Sequence, residues 1–213
     1  MKKQFIFLLF TLCCFSCISQ KKEVITKSTI KLEGRNTNIR NLLDIDGYYY
    51  IDSSDKKYGS IMFYEDGSWV YFHFREEYSD NEIKTNLMSS IYKWKNGKGI
   101  QWGNNWGVYD IQNDTIIVHS YSKSGFLKAW ELTEDRYKII DRNSIKRIFF
   151  KVRTEDEYYK SNSPWINVSP IHFNPADSIP SSDNWLKENK WIWRNESDWK
   201  AYMDRIKIEK KKK

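Results

Sequence analysis

Tyr58-Gly59-Ser60-Ile61-Met62-Phe63-Tyr64-Glu65-Asp66-Gly67-Ser68-Trp69-Val70-Tyr71-Phe72-His73-Phe74 decides the fold class. Asp66-Gly67 is a turn signal between two runs rich in aromatic and β-branched residues, because glycine accepts positive φ and a two-residue turn matches strand twist. A two-residue loop sets a register in which Phe63 faces Val70 and Ile61 faces Phe72. Tyr64 with Trp69, and Met62 with Tyr71, then fall on the other side. Both faces are apolar or aromatic, which predicts a sheet covered on each side.

Working outward, Trp106 to Tyr121 reads as a second hairpin around Asn113-Asp114, with Tyr109, Ile111, Ile116 and Val118 on one face. Val108, Asp110, Ile117 and His119 share its wetter face. A third hairpin turns at Asn96-Gly97-Lys98-Gly99. A fourth turns near Glu134-Asp135, between residues 127–132 and 137–140, and residues 144–152 form a last strand. With residues 48–51 as the first strand, about ten short strands follow in sequence. Such a meander removes its edges by closing on itself. The fold class expected is mainly all-β: an antiparallel up-and-down barrel over residues 41–151, with a twisted sandwich as the alternative.

Asp44-Ile45-Asp46-Gly47-Tyr48-Tyr49 entering the first strand resembles the opening Gly-x-aromatic segment of lipocalin-like domains. Trp106-Gly107-Val108-Tyr109-Asp110-Ile111, followed by Asp114-Thr115-Ile116, resembles hairpins of small lipocalin-like bacterial lipoproteins. The resemblance covers roughly residues 41–151, although Tyr49 stands where lipocalins carry Trp. It implies a barrel with an internal cavity and no particular ligand.

The chain begins Met1-Lys2-Lys3, followed by an apolar run and then Cys13-Cys14-Phe15-Ser16-Cys17. A positive start and roughly ten apolar residues make an export signal too short to span a bilayer. Ser16-Cys17 resembles a bacterial lipobox, although Cys14 and Phe15 depart from its usual residues. That resemblance implies removal of residues 1–16 and acylation of Cys17. No cysteine follows Cys17, so the mature domain must fold without an internal disulfide. Residues 17–40 are polar and aperiodic, as expected of a tether. Ile18-Ser19-Gln20-Lys21-Lys22 is unlike the acidic run that directs some lipoproteins to the cell surface. The expected location is the bacterial cell envelope, anchored by lipid to the periplasmic face of the outer membrane.

The net charge of +7 sits largely at the termini. Lys2 and Lys3 leave with the signal and five lysines crowd residues 207–213, so the body is close to neutral. A phosphate-tracking groove needs cations clustered on the folded surface, and nucleic acid is excluded as a partner on this ground. Residues 152–213 are broken by prolines and predict an aromatic-rich extension. A helix begins near Asn195, with Trp199, Tyr202, Met203 and Ile206 on one face. The lysine tail that follows offers a weak, salt-screened contact with anionic headgroups.

No nucleophile motif, phosphate-cradling loop or metal-ligand spacing is present, so no catalytic residue, metal or cofactor is expected. His73, His119 and His172 are the only histidines. The aromatic residues are the one excess, read either as packing or as a cavity lining. If the face carrying Met62, Tyr64, Trp69 and Tyr71 points inward, those four residues line a lumen suited to a small or lipidic ligand. If Ile61, Phe63, Val70 and Phe72 point inward, the interior is a filled core. The function expected is non-catalytic ligand binding. The alternative is an interaction or inhibitor lipoprotein that grips an envelope partner through Trp185, Trp191, Trp193 and Trp199.

Overall fold

Eight strands follow one another around a closed antiparallel barrel. They are β1 (Gly47–Ser53), β2 (Lys56–Phe63), β3 (Ser68–His73), β4 (Asn105–Gln112), β5 (Thr115–Lys123), β6 (Trp130–Asp141), β7 (Ser144–Val152) and β8 (Ile171–Pro175). This computed structural model describes residues 24–53, 56–73, 105–123, 130–152, 169–177 and 179–212. The expected barrel with a C-terminal helix is therefore found, with eight strands among the described residues. The hairpin expected at residues 96–99 lies outside the described residues.

The β2–β3 register differs by one residue from the sequence expectation. Phe63 pairs with Trp69, Met62 with Val70 and Ile61 with Tyr71. The Gly67 amide donates to the Tyr64 carbonyl at 3.1 Å, and the Tyr64 amide to the Ser68 carbonyl at 3.0 Å. Gly67 sits at φ 86. The loop is thus a tight turn followed by a left-handed glycine, which adds one residue over a two-residue turn. A one-residue slip changes which side chains share a face. Ile61, Phe63, Trp69 and Tyr71 join the lumen cluster, while Met62, Tyr64, Val70 and Phe72 join the outer one. The supposed common face of Met62, Tyr64, Trp69 and Tyr71 does not exist.

β4 and β5 pair as the sequence predicts, Tyr109 with Val118 and Ile111 with Ile116, around Asn113 at φ 58. The turn expected at Glu134-Asp135 is absent, because β6 runs unbroken to Asp141 and turns at Arg142-Asn143. The barrel does not end at residue 151 either. Its closing strand is β8, from the stretch expected as an extension, paired with β1 from Gly47–Pro175 to Tyr50–His172.

One end of the barrel carries the three short turns, between β2 and β3, β4 and β5, and β6 and β7. It is plugged by Ile39, Leu43 and Ile45, all buried in the lumen cluster. Tyr49 OH donates to the carbonyls of Asp44 at 2.9 Å and Arg142 at 3.1 Å, and Tyr109 OH donates to the Tyr64 carbonyl at 2.6 Å. Above the plug, Phe63 meets Tyr49, Tyr109 and Tyr137 edge-on, with centroids 5.9, 5.5 and 6.4 Å away. Edge-to-face contact is the arrangement ring quadrupoles favour. This half of the lumen is a packed core. The other connections all leave from the opposite end and lie wholly or largely outside the described residues.

The outer face of β1 to β5 is covered by both terminal segments. Residues 24–40 are part of the fold, with Val24, Ser28 and Leu32 buried. Leu32 bridges to Trp193, its amide donating to the Ile192 carbonyl at 2.8 Å. Residues 24–40 of the expected tether are therefore part of the fold, and residues 17–23 lie outside the described residues. Helix α1 (Glu196–Lys211) follows Asn195 and buries Tyr202 and Ile206, as its period predicts. Lys187, with 4% of its side chain exposed, places Nζ 2.5 Å from Asp66 Oδ2. Asp66 also accepts from Ser182 Oγ at 2.6 Å. Burial pushes the Asp66 carboxyl up, but the Lys187 charge and the hydrogen bonds around it leave it below 3.8.

This clasp yields an asymmetric prediction. Asp66→Asn strands a buried ammonium, whereas Lys187→Met leaves a carboxylate that is 40% exposed and can be hydrated. We expect Asp66→Asn to cost about 2–3 kcal/mol and the Lys187 change clearly less, measured by urea unfolding. Because the folded-state value of Asp66 is depressed, its stabilisation is present above pH 3.8 and fades as pH falls through the lower folded value. Equal costs for the two variants would contradict the clasp.

Candidate functional site

Beyond the packed half, the lumen becomes polar. Thr133, Asp135, Tyr137 and Ile139 lie in one alternate phase of β6, and Asp135 and Tyr137 are buried. The Arg147 Nε of β7 donates to Asp135 Oδ1 at 2.6 Å, with Nη2 also on that oxygen. Only 13% of the Arg147 side chain and 4% of the Asp135 side chain are exposed. The guanidinium stacks 4.5 Å from the Phe150 ring. One step farther from the plugged end, Ser120 and Thr133 share a hydrogen bond.

Tyr71 on β3 reaches this pair across the lumen. Burial pushes its phenol up, with Arg147 and Asp135 acting on it in opposite directions. Burial also pushes the Asp135 carboxyl above its ordinary value, and Arg147 opposes this. Trp69 stacks on Tyr71 at 6.4 Å and 12°. Its side chain is buried, and its indole Nε1–H has no hydrogen-bond partner among the described residues. A buried donor left unpaired costs about 1–3 kcal/mol, so its persistence needs a reason.

Of the four residues expected to form a ligand face, Trp69 and Tyr71 belong to this layer. Met62 and Tyr64 lie outside it, beneath the terminal segments, with Tyr64 stacked 6.0 Å from Trp106. Cys17 lies outside the described residues. Asp135 and Arg147 are not legible in the sequence, because the charges at residues 134–136 resemble a turn. The alternation of Asp135 with Tyr137 and Ile139 was the available signal.

His119 does meet a carboxylate, but on the outer surface and buried. Its Nδ1 lies 3.3 Å from Ser28 Oγ and its Nε2 3.4 Å from Glu134 Oε2. Tyr121 OH donates to Ser28 Oγ at 2.5 Å, and Arg136 holds Glu134 at 2.6 Å. Ser28, His119 and Glu134 are all buried, leaving no open face for a substrate, so the cluster fastens the N-terminal segment to β5 and β6. His172 is exposed, and the His73 side chain lies outside the described residues. Among the described residues, no group of three or more His, Cys, Asp or Glu could hold a metal ion.

Trp185, Trp191 and Trp193 pack against the outer cluster, so their rings serve the fold. A surface groove of about 580 Å³ runs between residues 29–38, the Asp66-Gly67 turn and the end of β4. Its Glu33 is shared by Arg35 and Arg194, and its Lys31 donates to the Trp191 carbonyl at 2.8 Å. No family model, curated protein or solved structure matches this chain. The functional reading therefore rests on the lumen.

Proposed function

We propose that this is a lipid-anchored, non-catalytic binding protein of the bacterial envelope, held by acylated Cys17, which takes a small molecule in the polar layer of its barrel. The observation that carries the reading is the buried Asp135–Arg147 pair beside Tyr71 and the Trp69 indole, unpartnered among the described residues. A ligand acceptor would satisfy Trp69 Nε1–H, and the ring of Trp69 or Tyr71 would offer an apolar platform. The ion pair is already neutral in sum, so a charged ligand would bring an uncompensated charge into a buried layer. The ligand class favoured is small, uncharged and rich in hydrogen-bonding groups, such as a sugar. A long acyl chain is disfavoured because the plugged half of the lumen is full.

Two measurements test this. Intact mass of the membrane fraction should give a chain starting at acylated Cys17, and Cys17→Ala should release the protein from the membrane. Calorimetric titration with a panel of neutral monosaccharides and disaccharides should yield saturable binding that Trp69→Phe weakens about tenfold, the worth of one buried hydrogen bond. Panel-wide absence of binding, with wild-type unfolding behaviour retained, would overturn the lumen reading.

A further inference from the structure

On the outer face of β6 and β7, Leu132 and Glu134 are buried, but Lys138, Ile140, Lys146 and Ile148 farther along it are exposed. Lys138 and Lys146 are directly paired across the two strands, an opposition of like charges that destabilises a sheet. Among the described residues Lys138 meets one acid, Asp114, at 3.4 Å, with both side chains more than half exposed. Lys146 is exposed and has no acidic partner among the described residues. Beside them Arg136 lies over the Phe149 ring at 4.5 Å, its charge paired with Glu134. Two of the large exposed apolar side chains are here as well, Ile140 at 50% and Ile148 at 42% exposure. Each sits where the β6–β7 register shifts, so the bulges turn isoleucines outward.

The chain's exit points the same way. Ser28 is fixed on β5 through His119 and Tyr121, and Val24 lies in the same outer cluster as Tyr121 and Leu132. Seven residues from Cys17 to Val24 span at most roughly 25 Å, and two strand spacings from β5 to β7 are about 10 Å. A short tether leaving beside β5 and β6 brings the adjacent β6–β7 face within reach of the surface it is anchored to.

We infer that the outer face of β6 and β7 rests on an anionic bilayer, with Lys138 and Lys146 among the headgroups and Ile140 and Ile148 at the acyl boundary. The orientation rests on anchoring at Cys17, but the surface itself does not, so it is tested without acyl chains. Residues 17–213 carrying Cys17→Ser are mixed with vesicles of phosphatidylethanolamine and phosphatidylglycerol, or of phosphatidylcholine alone, and co-sedimentation is measured. Binding is expected only to the anionic vesicles, falling steeply between about 50 and about 500 mM salt. Lys138→Glu with Lys146→Glu should weaken it at least about tenfold, and Ile148→Asp should weaken it at all salt concentrations. Both changes are at exposed positions, and unchanged near-ultraviolet dichroism would confirm the fold. Deleting residues 210–213 should leave most of the binding intact. The inference is overturned if anionic vesicles do not bind, if the lysine reversal has no effect, or if the tail deletion alone abolishes binding. Failure of acylation at Cys17 would appear in the intact mass and leave this result untouched.

Discussion

Gly47→Val should unfold the barrel or cost at least about 3 kcal/mol, the upper range for inserting a side chain where none fits. A Cβ at this position would lie 2.0 Å from the Asn174 carbonyl oxygen and 2.8 Å from the Phe173 ring. The Asn174 oxygen cannot yield cheaply, because it is backbone in the strand paired with β1. β8 pairs with β7 only at Ser144–His172 and Ile145–Ile171, so closure depends mainly on the β1–β8 ladder that Gly47 begins. Guanidinium unfolding and near-ultraviolet dichroism would report the change. A variant of wild-type stability would mean that β1 and β8 are not joined as described.

Arg147→Met should cost about 3–5 kcal/mol at neutral pH, because it leaves the Asp135 carboxylate buried without its counter-charge. The double variant Arg147→Met with Asp135→Leu should recover most of that loss, since removing both partners removes the desolvation problem. The pH dependence gives an independent check. Without Arg147 the folded-state value of Asp135 rises further above its unfolded value, so the penalty is present when the carboxylate must ionise. It should shrink as pH falls through the raised folded value, where the folded protein takes up a proton. A single variant with no penalty would place Asp135 in contact with water and remove the reason to read the layer as a buried site.

The parts of the fold legible in the sequence were those where local chemistry left one solution. Asn113-Asp114 between alternating apolar residues fixed both the turn and the β4–β5 register. At Glu65-Asp66-Gly67 two loop lengths fit the same residues, and the longer one moved Trp69 and Tyr71 into the lumen while leaving Met62 and Tyr64 outside. Ile171-His172-Phe173-Asn174-Pro175 is too short, and too closely flanked by Pro170 and Pro175, to announce a strand. Its pairing is supplied by β1 rather than by its own pattern. Val24 and Leu32 are isolated anchors in a polar stretch, and only the outer surface of the barrel makes them core residues.

The candidate site was hidden for a related reason. Charges at residues 134–136 read as a turn because buried charge is rare unless it is paired. The partner of Asp135, Arg147, lies on the next strand and is visible only once β6 and β7 are in register. Lys187 and Asp66 repeat the lesson at larger separation, as a buried ammonium in a polar loop meets the turn between β2 and β3.

The central claim, that the polar layer of the lumen is a binding site, is tested most directly by the side-chain N–H signals of Trp69 and Arg147 in a ¹⁵N-labelled sample of the soluble chain. Adding a neutral sugar that binds should shift the Trp69 Nε1–H and Arg147 Nε–H resonances together, with one saturation curve, while those of Trp191 and Trp193 on the outer face stay still. Contradiction would come from a bound sugar that moves the outer tryptophans and leaves Trp69 and Arg147 unchanged.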